Sequence, residues 1–311
     1  MRFARELPIG LYGAVMGLAG LGLAARSAAP LFPGVFRAPA YFTELWVALG
    51  LAFFAALLPL YVVKILRYPE AARADFTNPV TMGFCAALPV GMLILSAGLA
   101  PYLRDVANAM WWIAVGLLVI YQLHGLWRLL ATRIALAQAN AGWLILFVGG
   151  IVAPHGGVPL GNFAATKMLF AISALASVPL LLVLAYRAMK APALPAPLSP
   201  TWFIVLVPPC LISAHAPSLF GLRGLGELFL LALAMLAGLL YYARNFLRWP
   251  FSAAWWAITF PLDAFAFAAV RYAQTHDGAL WRLVAGAGIL LATVAAASVL
   301  LRSAAQAWPG R

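Results

Sequence analysis

The sequence predicts an all-α integral membrane protein, a single transmembrane domain over residues 1–311 built as ten transmembrane helices in five helical hairpins. Three observations predict it. Hydrophobic residues make up 65% of the chain and charged ones only 9%, with a mean hydropathy of +0.97, whereas soluble chains sit nearer 45–50% and about 25%. Ten segments reach the roughly 20 apolar residues that a bilayer crossing requires. The connections between them are short and leave no room for a soluble domain, so consecutive segments pair as antiparallel hairpins.

The ten segments run over residues 8–25, 42–63, 79–99, 108–130, 141–157, 163–187, 201–220, 226–247, 252–272 and 279–302. The first follows Met1–Glu6 directly, without the stop of a cleavable signal. Odd and even segments differ in kind. The odd ones carry helix breakers: Pro8 with Gly10, Gly13 and Gly17, then Pro79 and Pro89, Gly149, Gly150 and Pro154, Pro208, Pro209 and Pro217, and Pro261. The even ones are richer in Leu, Ala and aromatics, and only Pro59 and Pro179 interrupt them. A proline inside a helix deletes one hydrogen bond and clashes with the carbonyl four residues back. Lipid tolerates that only where protein or water satisfies the freed group. Five kinked helices are therefore expected inside and five smoother ones against lipid. No strong residue-level repeat accompanies the alternation.

Orientation follows from the basic residues. With the N-terminus inside, cytoplasmic segments hold 13 Lys and Arg, from Arg2 and Arg5 to Arg302 and Arg311, and the opposite side holds 7, including Arg26, Arg37, Arg104, Lys167 and Arg223. Both termini are thus expected in the cytoplasm. The same loops account for the net charge of +12, which would also concentrate anions at a membrane surface. The basic residues are spread over loops rather than gathered in a soluble domain, which argues against nucleic-acid binding.

One stretch concentrates the unusual chemistry: Trp255–Gln274, WWAITFPLDAFAFAAVRYAQ, has spanning length yet contains Pro261, Asp263 and dense aromatics. The lost hydrogen bond at Pro261 would free the carbonyl of Ala257, so this helix is expected within the bundle with Phe260 at the kink. Asp263 is the only acidic residue well inside a segment. Intramembrane carboxylates are costly and usually face protein or water with a partner.

These residues resemble a family, the slow-type anion channels of plant guard cells and their bacterial relatives, a branch that includes the tellurite-resistance protein TehA and dicarboxylate (malic acid) transporters. The match is carried by PIGLYGAVMGLAGLGLA (8–24), KILRYPEAARADFTNPVTMGFCAAL (64–88), AGWLILFVGGIVAP (141–154), PTWFIVLVPPCLISA (200–214) and, most closely, the Trp255–Gln274 stretch. It covers nearly the whole chain in order. The resemblance implies a homotrimer in the lipid bilayer of a bacterial inner membrane, with a pore in each protomer. The five kinked helices would line that pore, and a phenylalanine in the position of Phe260 would occlude it. Gly13 matches the glycine that leaves room beside that ring. Pro89, Pro154, Pro209 and Pro261 would kink the lining helices. The partners implied are small inorganic or organic anions, with no nucleic acid.

Each residue also has a plainer reading. Phe260 could be an ordinary core aromatic. Asp263 could pair with His215 or Lys167, or serve as a protonatable site coupling anion movement to protons; the relatives carry small or hydroxyl residues at its position, and a charge there would repel anions. His215, His155 and His124 are scattered one per helix, without the spacing of a metal site, so no metal is expected. Arg271 is a mouth cation or snorkels to the interface. Lys64 and Arg67, like Arg244 and Arg248, either form the opposite mouth or only enforce topology. Cys85 and Cys210 lie in apolar runs as small buried residues. P-loop, GxSxG, HExxH and CxxC motifs are missing, so neither an enzyme nor a cofactor is expected. The readings left are a gated channel for chloride or nitrate, a secondary transporter of dicarboxylates or oxyanions such as tellurite, with or without proton coupling through Asp263, and a scaffold without transport.

Overall fold

The computed structural model describes residues 2–36 and 41–307; Arg37 and Arg311, counted above for orientation, lie outside the described residues. Those residues form helices and turns, with no strand among them. Ten helices are long and apolar enough to cross a membrane: α1 (Ile9–Ala28), α2 (Tyr41–Arg67), α3 (Met82–Leu99), α4 (Arg104–Ala131), α5 (Gly142–Leu160), α6 (Phe163–Lys190), α7 (Ala196–Phe220), α8 (Arg223–Phe246), α9 (Ala253–Thr275) and α10 (Ala279–Gln306). All-α membrane architecture is thus what the chain adopts.

Burial alternates along the chain. Of each apolar window, 94% is buried in α3 and 78% in α9, against 17% in α8 and 28% in α4 and α6. The odd helices therefore pack inside protein and the even ones present Leu, Ile, Val and Trp outward, among them Leu130, Leu175 and Leu283. In a bilayer that face costs nothing, because lipid tails are as apolar as leucine.

Every odd helix contains a tighter 3-10 section: Ile9–Leu11, Met82–Ala86, Gly149–Val152, Ala196–Leu206 and Ala253–Trp255. The prolines explain where the α-helical sections begin. Pro154 is the first residue of Pro154–Leu160, while Pro208 and Pro209 lie in the first turn of Val207–Phe220 and Pro89 in that of Ala87–Leu99. A missing N–H is tolerated best in a first turn. These prolines start a helix within a span, where the sequence suggested bends in a continuous one. Pro261 differs: it sits in the second turn of Trp256–Thr275, which stays α-helical through it. The smoothness expected of the even helices holds for α2, α4, α6 and α10 but fails in α8. There 3-10 turns flank Leu228–Tyr242, and Asn245 leaves helical geometry.

The chain divides into two compact units: residues up to Met16 with Leu49–Pro195, and Gly17–Ala48 with the chain from Ala196 onward. In the first, α3 and α5 meet at their starts without side chains between them. A Cβ on Gly83 would overlap the backbone of Gly142 and lie 2.7 Å from the Trp143 nitrogen. The Trp143 indole donates to the Pro79 carbonyl at 2.8 Å, and the Asn140 amide to the Val80 carbonyl at 3.1 Å. The buried Arg187, at the end of α6, donates to the Ala139 carbonyl at 3.1 Å. Farther along α5, the Trp111 ring of α4 packs against Gly156 and Gly157 and donates to the Ala153 carbonyl at 3.2 Å.

In the second unit α9 is the central element. It packs along α10, where a Cβ on Gly288 would lie 3.3 Å from the Ala266 Cα. Ser252 caps its start, accepting from the Ala254 N–H at 3.3 Å while its hydroxyl donates to the Pro197 carbonyl at 3.1 Å. The Arg302 guanidinium covers the Trp255 ring at 4.9 Å.

Candidate functional site

Phe260 and Asp263 are three residues apart on α9, about 4.5 Å along the axis and on adjoining parts of one face. Both are buried, at 7% and 2% exposure. Facing them in the same unit is the second half of α1, which approaches closely because glycines line it. A Cβ on Gly17 would overlap the Thr259 side chain. One on Gly20 would lie 3.1 Å from the Phe260 ring and 2.9 Å from Asp263 Oδ2. Gly13, Gly17 and Gly20 follow at i, i+4 and i+7, so they share one face of the helix. The ring meets α1 at Gly20; Gly13, half-buried, lies two turns earlier on that face.

Thr259 spends its hydroxyl inside its own helix, donating to the Trp256 carbonyl at 2.8 Å. Asp263 is left alone: neither carboxylate oxygen has a hydrogen-bond partner among the described residues. Within this unit the structure therefore does not hydrogen-bond His215 to it. His215, half-buried on α7, lies against the Phe267 ring at 5.2 Å, one turn beyond Asp263. Lys167 is exposed at the start of α6.

At the far end of α9, Arg271 donates to Gln274 at 3.1 Å, and Gln274 donates in turn to the Ser27 carbonyl at 2.9 Å. Beside them Tyr272 donates to Glu227 at 2.9 Å and stacks on His276, whose Nε2 lies 3.2 Å from the same carboxylate. Arg26 and Glu44 form a half-exposed ion pair at 3.1 Å. This end of the unit is thus tied together by polar contacts that sequence reasoning did not reveal.

Lys64 belongs to the first unit and is 3% exposed. Its ammonium donates to Asp75 at 2.7 Å and to the Leu7 carbonyl at 2.8 Å, while Tyr61 donates to the same carboxylate oxygen at 3.2 Å. The lysine thus joins the N-terminal segment, α2 and the short helix Pro69–Thr77. Arg67 is exposed. Arg244 folds back over the Tyr241 ring at 4.2 Å. His124 contacts the Phe76 carbonyl at 3.3 Å and His155 the Val152 carbonyl at 3.2 Å. Among the described residues no cluster of three His, Cys, Asp or Glu could hold a metal, and both cysteines are free and buried.

Sequence reasoning singled out Phe260 and Asp263 as candidates but did not name Gly17 and Gly20 as the residues of α1 packed against this stretch of α9. The signal was available in the spacing of Gly13, Gly17 and Gly20, which places three residues without side chains along one stripe.

Ten apolar helices, alternately buried and lipid-facing, with the buried set broken by 3-10 turns, define a multi-pass membrane protein. The chain belongs to the voltage-dependent anion channel (SLAC1) family, whose model matches residues 6–304. It is 24% identical over 309 residues to the S-type anion channel SLAH3 of Arabidopsis thaliana, covering 96% of this chain and 48% of that protein. It is 25% identical over 286 residues to the guard cell S-type anion channel SLAC1 of the same plant, covering 89% and 51%. A protein named as uncharacterized transporter MJ0762, from Methanocaldococcus jannaschii, is 25% identical over 256 residues, covering 72% and 71%. The chain spans about half the length of the plant relatives it matches. The family itself is one of anion channels and transporters rather than enzymes.

Proposed function

We propose that this protein is a gated channel for small monovalent anions such as chloride and nitrate, and that Phe260 is the plug. The observation that carries the reading is the placement of Phe260. The ring is buried on a proline-containing helix and held against Gly20, at a point where a larger residue on α1 would displace it. An apolar ring across a narrow passage excludes water and makes an ion shed its hydration, which is costly. The prolines Pro89, Pro154, Pro209 and Pro261 shape the helices that line the passage, and Gly13 extends the glycine stripe beside the ring. The protein would act as a homotrimer in a bacterial inner membrane, with both termini in the cytoplasm and a basic surface drawing anions in.

The test is flux through purified protein in liposomes. Phe260→Ala is expected to raise chloride and nitrate flux by roughly tenfold or more, the effect of removing about 1.4 kcal/mol of barrier. Currents should reverse at the anion equilibrium potential. Unchanged flux in a folded Phe260→Ala protein would remove the plug assignment. A second reading, a carrier of dicarboxylates or oxyanions such as tellurite, is favoured by one observation: Asp263 puts a carboxylate a single turn from the ring, where its charge would oppose free anion flow. A carrier would show saturating flux that Phe260→Ala lowers.

A further inference from the structure

We propose that Asp263 is a proton-binding site that sets whether anions pass Phe260: passage proceeds with the carboxyl protonated and is blocked when it is ionised. The proposal rests on the anion-permeation reading above and adds to it the ligand of a residue that reading leaves unused.

The geometry selects a proton over other ligands. Asp263 is 2% exposed, and of the eight acidic side chains it is the one whose two oxygens are both buried and without partner. Oδ2 faces the bare backbone of Gly20, and the Phe260 ring is its neighbour there. Neither brings a side-chain oxygen to a metal ion, which needs several oxygen ligands. The hydroxyl of Thr259, one turn earlier on α9, is already committed to the Trp256 carbonyl. A proton needs no second ligand, and a neutral carboxyl avoids leaving an unpaired charge in a dehydrated site.

None of the basic and titratable groups on the surrounding elements is a hydrogen-bond partner of Asp263. On α1, Arg26 pairs with Glu44 at 3.1 Å. On α7, Cys210 is buried with a free thiol, and His215 lies against Phe267. On α8, Glu227 takes Tyr272 and His276, and Tyr241 lies under Arg244, with Tyr242 against Trp249. On α10, Arg302 covers Trp255 and Arg282 is exposed. On α9 itself Arg271 holds Gln274. Among the described residues no cation bonds to either oxygen of Asp263.

The consequence for anions is electrostatic. A unit negative charge about one helical turn from an anion's path slows passage by roughly a hundredfold at an effective dielectric of about 20. A neutral carboxyl removes that barrier.

Two measurements decide it. Infrared difference spectra of the purified protein across a pH series should show a protonated-carboxyl stretch that disappears at alkaline pH and is missing from Asp263→Asn. Identical spectra for the two proteins would overturn the proton site. In liposomes, Phe260→Ala protein should lose roughly a hundredfold of its chloride flux between acid and alkaline pH. Adding Asp263→Asn should keep flux at the acid level throughout. Equal pH dependence with and without Asp263 would overturn its control of passage. Asp263→Ser serves as a second neutral variant should the asparagine protein fail to fold. If Phe260→Ala passes no anion at any pH, the permeation reading fails, and with it the control of passage. The infrared measurement would still decide whether Asp263 takes up a proton.

Discussion

Replacing Lys64 by Met removes an ammonium that makes two contacts: the Asp75 carboxylate at 2.7 Å and the Leu7 carbonyl at 2.8 Å. The side chains of the pair are only 4% and 15% exposed, so water cannot fully replace what is lost. Breaking one side of a buried pair costs about 3–5 kcal/mol, because the remaining charge is stranded. Two features place Lys64→Met near the lower bound. Asp75 keeps the Tyr61 hydroxyl at 3.2 Å, and its modest exposure admits some water. A loss of about 3 kcal/mol raises the unfolded fraction over a hundredfold. The double variant Lys64→Met with Asp75→Asn should recover most of it, leaving a deficit of about 1 kcal/mol for the unmade Leu7 bond. Denaturant titration of purified protein in mixed micelles, run as a double-mutant cycle, measures these values. Additive losses in the two single variants would refute the reasoning, since they would mean the ions are solvated independently. The same double variant separates two roles for Lys64. A lysine neutralised by Asp75 presents little field to a passing anion, so chloride flux in the double variant should stay within about twofold of the parent. A much larger drop would make Lys64 a mouth cation in its own right.

Two more perturbations test the close contacts. Gly17→Ala places a methyl inside the Thr259 side chain, within 2.6 Å of its Cβ; overpacking of this kind costs roughly 1–3 kcal/mol. Thr259→Ala should rescue it only in part, because the Cβ remains, and thermal unfolding in detergent reads both effects. Trp111→Phe removes a donor 3.2 Å from the Ala153 carbonyl and opens space beside Gly156 and Gly157. A loss of about 1–2 kcal/mol is expected by the same assay.

The number of helices and their inside–outside alternation were legible in the sequence because both follow from one-dimensional signals. Apolar length sets the spans, and the distribution of glycine and proline marks the buried set. What proline does locally was less legible. Pro89, Pro154, Pro208 and Pro209 start α-helical sections, and only the register of the hydrogen bonds, which switches from 3-10 to α at those points, shows it. Composition alone could not distinguish a bend from a restart. Nor could it show that α8, which lacks proline, would tighten into 3-10 turns at both ends.

Partnerships between distant residues were hidden for a related reason. Lys64 and Asp75 are eleven residues apart and on different helices, so no helical spacing pairs them. Glu227 meets Tyr272 across forty-five residues. For Asp263 the sequence showed the anomaly, an acidic residue in a spanning segment, and suggested partners by proximity in type. The structure replaces those partners with Gly20 and a ring. That substitution changes the argument about charge. A carboxylate paired with lysine or histidine would keep its charge and lock two helices together. A carboxylate that faces glycine, with neither oxygen hydrogen-bonded, gives no such lock. The role proposed for Asp263 lies in the difference between its two states, the quantity that the comparison of Phe260→Ala with and without Asp263→Asn measures.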